Sequence, residues 1–295
     1  MDDIKLTGCQ ADCGTCPPAN RLPTPAPDAK EMVKIAIGLA VVCAISALIT
    51  GIAFVFTEPV KKENQFKREQ TVIRQLLNLN DTATIAKISR FLITDGQETN
   101  IAYQTPASTI VFNERGELKE KLDISNEDAL IQKFGKEKVK AVGRFFIGQE
   151  GPQTRGFVVE GSQMGFKNHI KFFLALDDAL NVRGIEILEH EEDPGLGAEI
   201  VKPYFKNQFS ARTFESMGAM EVVKEPLPSD WNTALNELGK VALDSWKEKN
   251  AELIKSNQKV YAITGATISS AALTNGVKKT LFQFKKRIDL LGPQL

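Results

Sequence analysis

The hydrophobic pattern begins with one uncharged run, Ile35 to Phe56, bounded by Lys34 and Glu58. As a helix its 22 residues rise about 33 Å, enough to cross the ~30 Å hydrocarbon core of a bilayer. No polar face interrupts it, so residues 33–57 are predicted to form a transmembrane helix. From Glu58 to about residue 80 the pattern becomes periodic. Val60, Phe66, Ile73 and Leu77 form an apolar stripe among charged residues, and Pro59 suits the first turn of a new helix. Short apolar runs follow at Ser108–Phe112, Val139–Ile147, Arg155–Glu160, Ile170–Leu176 and Val182–Leu188, and read as strands. Asn113-Glu114-Arg115-Gly116 is a turn, and Asp177 to Asn181 is a hairpin connection. Trp231 to Ser256 reads as one polar amphipathic helix. A last helical period runs from Ala271 to Phe284, with Leu273, Val277 and Leu281 on one face. Strands followed by helices predict an α+β domain over residues 58–295, an antiparallel sheet with flanking helices.

Composition changes this picture only at the N-terminus. The chain has 295 residues, 42% of them apolar, which allows one large core behind the anchor. Its 37 basic and 37 acidic residues balance and form no basic stripe, so nothing points to nucleic acid. Residues 1–32 are expected to be a disordered tail, proline-rich from Pro17 to Pro27. Cys9, Cys13 and Cys16 lie there in a C-x3-C-x2-C array. Thiolates at that spacing suit zinc or an iron–sulfur cluster, with a further ligand from elsewhere. The plainer reading is three reduced thiols on a cytoplasmic tail. Cys43 lies within the apolar run and reads as a packing residue. A cleavable signal peptide fits poorly, because the leader is too long and no small-x-small site follows the run.

Two stretches carry candidate chemistry. Thr264-Gly265-Ala266-Thr267 stands where the last helix begins. Helix N-termini hold phosphate through unpaired N–H groups and a partial positive charge. Thr267, Ser269 and Ser270 add hydroxyls, and Gly265 and Ala266 leave room for a bulky group. The same residue types also make an ordinary N-cap. The second stretch is His190-Glu191-Glu192-Asp193-Pro194-Gly195-Leu196-Gly197. Its first four residues are metal-ligand types, or simply a solvated acidic loop. The last four read as a rigid turn that brings backbone close to something flat.

Both stretches resemble motifs of one protein family. Thr264-Gly265-Ala266-Thr267 is similar to the [S/T]-G-A-T motif of the FMN-binding domain in the Rnf G-type subunits and the NqrC proteins. His190 to Gly197 resembles their H-x-E-T-P-G-L-G loop. The order matches, and the likeness extends from about residue 33 to the end. Two positions depart from the pattern: Asp193 replaces a usual Thr, and Tyr261 replaces a usual Asp.

The resemblance implies a membrane-anchored electron carrier. A flavin transferase would join FMN through its phosphate to Thr267, with Thr264, Gly265, Ala266, Ser269 and Ser270 around it. Glu192, Gly195, Leu196 and Gly197 would close over the ring. Other membrane subunits of an ion-translocating oxidoreductase complex would be its partners, with no stand-alone catalysis by this chain. The implied placement is the cytoplasmic (inner) membrane, single-pass, with the N-terminus in the cytoplasm and the FMN domain periplasmic. The lysines beyond the apolar run pull weakly the other way, but the lack of cysteine after Cys43 suits an oxidising space. Alternatives are the C-type subunit of the sodium-translocating NADH:quinone reductase, and an anchored scaffold domain that carries no flavin.

Overall fold

A computed structural model describes residues 28–96 and 98–292. Cys9, Cys13 and Cys16 lie outside the described residues. The described residues divide into two compact units, one ending at Glu63 and the other beginning at Asn64. Helix α1, Ala29–Leu77, is continuous, so Pro59 lies inside a helix rather than in the first turn of a new one. Proline suits a first turn and is tolerated, less well, within a helix, and sequence alone does not separate the two. In the first unit the apolar side chains of α1 are exposed, including Ile35 and Phe56 at 69% and 74%. This stretch is long and apolar enough to cross a membrane.

In the second unit the predicted stripe of α1 shrinks to its end. Ile73 and Leu77 are buried, whereas Phe66 is exposed, as is Val60 before it. The helix meets the sheet at Glu69. There Arg144 donates two hydrogen bonds to the Glu69 carboxylate, at 2.8 and 2.9 Å, and also pairs with Glu160.

Eight strands form one antiparallel sheet: β1 Thr84–Asp95, β2 Glu98–Gln104, β3 Thr109–Phe112, β4 Leu118–Leu122, β5 Val139–Glu150, β6 Gln153–Met164, β7 His169–Leu176 and β8 Val182–Glu189. Their spatial order is β4-β3-β2-β1-β5-β6-β7-β8. A short helix, α2 Glu127–Phe134, links β4 to β5. After β8 come α3 Pro203–Lys206, α4 Phe214–Ala219, strand β9 Glu221–Val223, α5 Ser229–Glu237, α6 Leu243–Lys249, α7 Ala251–Ser256, strand β10 Lys259–Tyr261 and the long α8 Thr267–Leu291.

Helix α8 covers one face of the sheet, with Leu273, Val277, Leu281 and Phe284 packed against Phe145, Phe157, Phe172 and Leu174. The end of α1 covers the other face, where Ile73 and Leu77 meet Phe146, Val158 and Phe173. Neighbours such as Phe145–Phe146 and Phe172–Phe173 therefore serve opposite cores. A strand buried on both faces reads as a continuous apolar run instead of an alternation, which is how β5 to β8 appear in the sequence. Strands β1 and β2 carry polar residues at many positions and escaped the pattern.

The helix expected over Trp231 to Ser256 is three helices. The chain leaves α5 at Leu238 (ψ 128°) and turns at Gly239 (φ +102°). Along one straight helix residues 231 and 246 would stand about 22 Å apart. Here the Trp231 and Trp246 rings lie 5.9 Å apart, and Trp246 Nε1 donates to Ala234 O at 2.7 Å. Burying both indoles together favours the broken path.

Candidate flavin site

Strand β10 delivers the chain to the start of α8 along a fixed route. The buried Gln208 side chain accepts from Tyr261 N at 2.8 Å and donates to Tyr261 O at 3.1 Å. Ala262 N donates to Val223 O at 2.9 Å. The Tyr261 phenol donates to Asn257 Oδ1 at 2.9 Å and packs with the tryptophan cluster. A tight turn then spans Ile263–Ala266, closed by Ala266 N to Ile263 O at 2.9 Å. Gly265 sits at its third position with φ +79°, the left-handed conformation that a type II turn requires there. Ser270 locks the turn onto the helix, since its Oγ donates to Ala266 O at 2.9 Å and accepts from Ile263 N at 3.1 Å.

Helix α8 therefore begins at Thr267 with Ala266 in the cap position, and no side chain caps it. The ordinary N-cap, one of the two expectations for these hydroxyls, is not formed. The first-turn N–H groups stay available, and the Thr267 hydroxyl, half-buried, has no hydrogen-bond partner among the described residues.

A second tight turn faces the first. Leu196 N donates to Asp193 O at 3.1 Å, with Pro194 and Gly195 (φ +74°) at the two central positions. This is the proline–glycine chemistry of a type II turn. Beneath it lies the Glu192 carboxylate, 4% exposed. It accepts from Phe166 N at 2.9 Å, from Lys167 N at 3.1 Å, and from the Ser269 hydroxyl. A Cβ added at Gly197 would stand 2.6 Å from Glu192 Oε2 and 2.7 Å from Ser269 Oγ. The close approach at Gly197 is thus to the chain's own side chains.

The two turns and the β6–β7 hairpin tip enclose a cavity of about 310 Å³. Helix α8 and its turn contribute Gly265, Ala266, Thr267, Ile268 and Ser269, and the loop contributes Glu192, Asp193, Leu196 and Gly197. Of the residues expected around a cofactor, Thr264, Ser270 and Gly195 do not line it. Ser270 is buried inside the turn, while Thr264 and Gly195 are exposed. Phe166, from the hairpin tip, completes the lining and was missed by sequence reasoning. Its one signal was a large aromatic between two strand patterns. Phe166, Leu196 and Ile268 are 58%, 45% and 60% exposed, so three large apolar side chains converge on the mouth of one cavity. Such exposed clusters mark binding sites.

Charge at the mouth is organised by Lys167, whose Nζ is paired with Asp193. The hydrogen bond to Asp193, then its charge, raise the Lys167 ammonium above its ordinary range. His190 and Glu191 do not join them in a metal centre. Among the described residues no group of three His, Cys, Asp or Glu side chains is placed to hold a metal.

Comparison with known proteins agrees with this geometry. The family model described as the FMN-binding domain matches residues 165–281, from the hairpin tip through most of α8. The G-type subunit of the proton-translocating ferredoxin:NAD(+) oxidoreductase complex of Clostridium ljungdahlii is 30% identical over 147 residues, 50% of this chain and 62% of that protein. The C-type subunit of the Na(+)-translocating NADH-quinone reductase of Yersinia pestis is 27% identical over 143 residues, 47% of this chain and 54% of that protein. The match therefore spans less than two thirds of either relative. The crystal structure of Shewanella oneidensis NqrC aligns with 77% of this chain and 99% of its own, at 14% identity and a TM-score of 0.44. Residues 165–281 thus match the FMN-binding domain, and the chain is similar in sequence to Rnf-type G subunits and to C-type subunits of the Na(+)-translocating NADH-quinone reductase.

Proposed function

We propose that this chain is the G-type subunit of an Rnf-like ion-translocating oxidoreductase, carrying electrons on an FMN bound covalently to Thr267. The observation that carries this reading is the Thr267 hydroxyl. It has no partner among the described residues and lines a cavity at the uncapped start of a 25-residue helix. Helix N-termini favour phosphate, and the apolar mouth of Phe166, Leu196 and Ile268 suits a flat aromatic ring. A cavity of about 310 Å³ lies in the range of small-molecule sites. The residues present therefore fit an FMN joined through its phosphate. When bound, FMN passes one or two electrons, which lets a carrier link two-electron and one-electron partners.

The chain's part is binding and orientation. Thr267 is the tether, and the Gly265 turn opens the approach to its hydroxyl. Glu192 clamps the three segments around the cavity, while Leu196 and Phe166 shield it from water. No side chain is needed as a general acid or base. Helix α1 would anchor the domain in the cytoplasmic membrane, with the N-terminus inside and the domain outside. Other membrane subunits would exchange electrons with it, and a flavin transferase would load it. A tether suits that placement, since a lost flavin would not be replaced there. The match to a C-type subunit of a sodium-translocating NADH-quinone reductase keeps that assignment as the second reading.

The test is expression of the full chain with a flavin transferase, followed by denaturing electrophoresis. Flavin fluorescence is expected at the wild-type band and at Thr264→Ser, and none at Thr267→Ala. Fluorescence persisting in denatured Thr267→Ala would refute the tether.

A further inference from the structure

We propose that the Lys167–Asp193 ion pair is a positioning device that sets the charge felt by a flavin in this cavity. The inference rests on the flavin reading above and concerns its reduction potential.

Among the described residues Asp193 lines the cavity, whereas no lysine or arginine does. Lys167 is held at the edge by the carboxylate of a residue that lines it. Its main chain is held as well, because Lys167 N donates to Glu192 at 3.1 Å. Backbone and side chain of one residue are thus anchored to two consecutive residues of the facing loop. That double anchor fixes an ammonium group that would otherwise sweep a wide volume on its flexible stem.

Stability does not account for the pair. Its side chains are 49% and 37% exposed, and ion pairs that open to water contribute little. The neighbouring Glu192 is different. It is buried, its charge is covered by three donors, and it is committed to holding the cavity wall together. Lys167 and Asp193 are the charges left at the mouth with no such structural duty.

A flavin gains electrons on reduction, and with them negative charge. A fixed cation nearby favours the reduced form, and a fixed anion disfavours it. In the pair the two effects oppose each other, so the cavity sees a balanced dipole. Removing one member unbalances it in a known direction. Lys167→Gln leaves Asp193 facing the cavity and lowers the potential. Asp193→Asn frees the cation of its partner and raises it.

The test is a redox titration of the flavin-loaded full chain in detergent, with dithionite as reductant, mediator dyes, and the visible spectrum as readout. Lys167→Gln should shift the midpoint downward and Asp193→Asn upward, and the double variant should return towards wild type. Both single-variant shifts should shrink as salt rises from about 0.05 to about 0.5 M, as screening shortens. A packing role would move both variants in the same direction, and that result would overturn the proposal, as would two unchanged midpoints. Lys167→Met and Asp193→Ser repeat the charge changes with other shapes. Loss of flavin from both variants at either position would assign the pair to packing and overturn the proposal. Flavin present with unchanged midpoints overturns this inference alone, whereas a wild type that never carries flavin overturns the flavin reading and this inference with it.

Discussion

Removing the Glu192 carboxylate should destabilise the domain even when no flavin is bound. Glu192 is 4% exposed and accepts from two backbone N–H groups and one hydroxyl. Hydrogen bonds to a charged group contribute about 1.5–3 kcal/mol each, so three set an upper bound of ~5–9 kcal/mol. Desolvating the carboxylate offsets part of this. In Glu192→Ala the N–H groups of Phe166 and Lys167 lose their acceptor and a void opens beside Gly197. We expect a loss of about 3–5 kcal/mol. Glu192→Gln keeps one carbonyl oxygen for the two N–H groups, and its amide can donate to Ser269 Oγ. It loses only charge assistance, about 1–2 kcal/mol. The assay is urea unfolding of the flavin-free full chain in detergent, followed by the fluorescence of Trp231 and Trp246, both fully buried. A loss under about 1 kcal/mol for Glu192→Ala would refute the clamp and return this carboxylate to the role of a direct flavin contact.

Other outcomes follow from the same geometry. Gly197→Ala would place a Cβ 2.6 to 2.9 Å from Glu192 and Ser269 and should cost about 1–3 kcal/mol, read as a lowered melting temperature. Gly195→Ala meets nothing within 4 Å, so only its positive φ is penalised, about 1–2 kcal/mol, and it should melt above Gly197→Ala. Arg144→Met strands Glu69, whose side chain is 11% exposed. Breaking a buried pair costs ~3–5 kcal/mol, and the part-exposed Arg144 lowers our expectation to about 2–3 kcal/mol. Hydrogen exchange should then quicken at the end of α1, around Ile73 and Leu77, before it quickens in α8.

The reach of the sequence followed burial and local chemistry. The apolar strands β5 to β8 and the face of α8 were legible because burial writes itself as runs of Phe, Ile, Val and Leu. The Pro194-Gly195 turn was legible because it needs residues that few other positions require, whereas Gly265 read only as room for a bulky group and its turn shows in the fold. Strands β1 and β2 were not, since Lys87, Arg90 and Asn100 interrupt their apolar residues. The three-helix path from Ser229 to Ser256 was hidden as well, because it depends on two tryptophans meeting in space. At the site, Thr267 and Leu196, singled out by the motif resemblance, both line the cavity. Glu192 was read as a cofactor contact, whereas its bonds run to Phe166, Lys167 and Ser269, which are distant in sequence. Phe166 carried no motif, and only the fold brings it to the cavity.

The central claim is that Thr267 carries the flavin, and peptide mass tests it most directly. The wild-type chain, produced with a flavin transferase, should yield a peptide spanning Thr264 to Lys278 heavier by one FMN less water. Fragmentation should place the added mass on Thr267, as a phosphoester. An unmodified peptide from flavin-containing protein, or the added mass on Thr264, Ser269 or Ser270, would contradict the account.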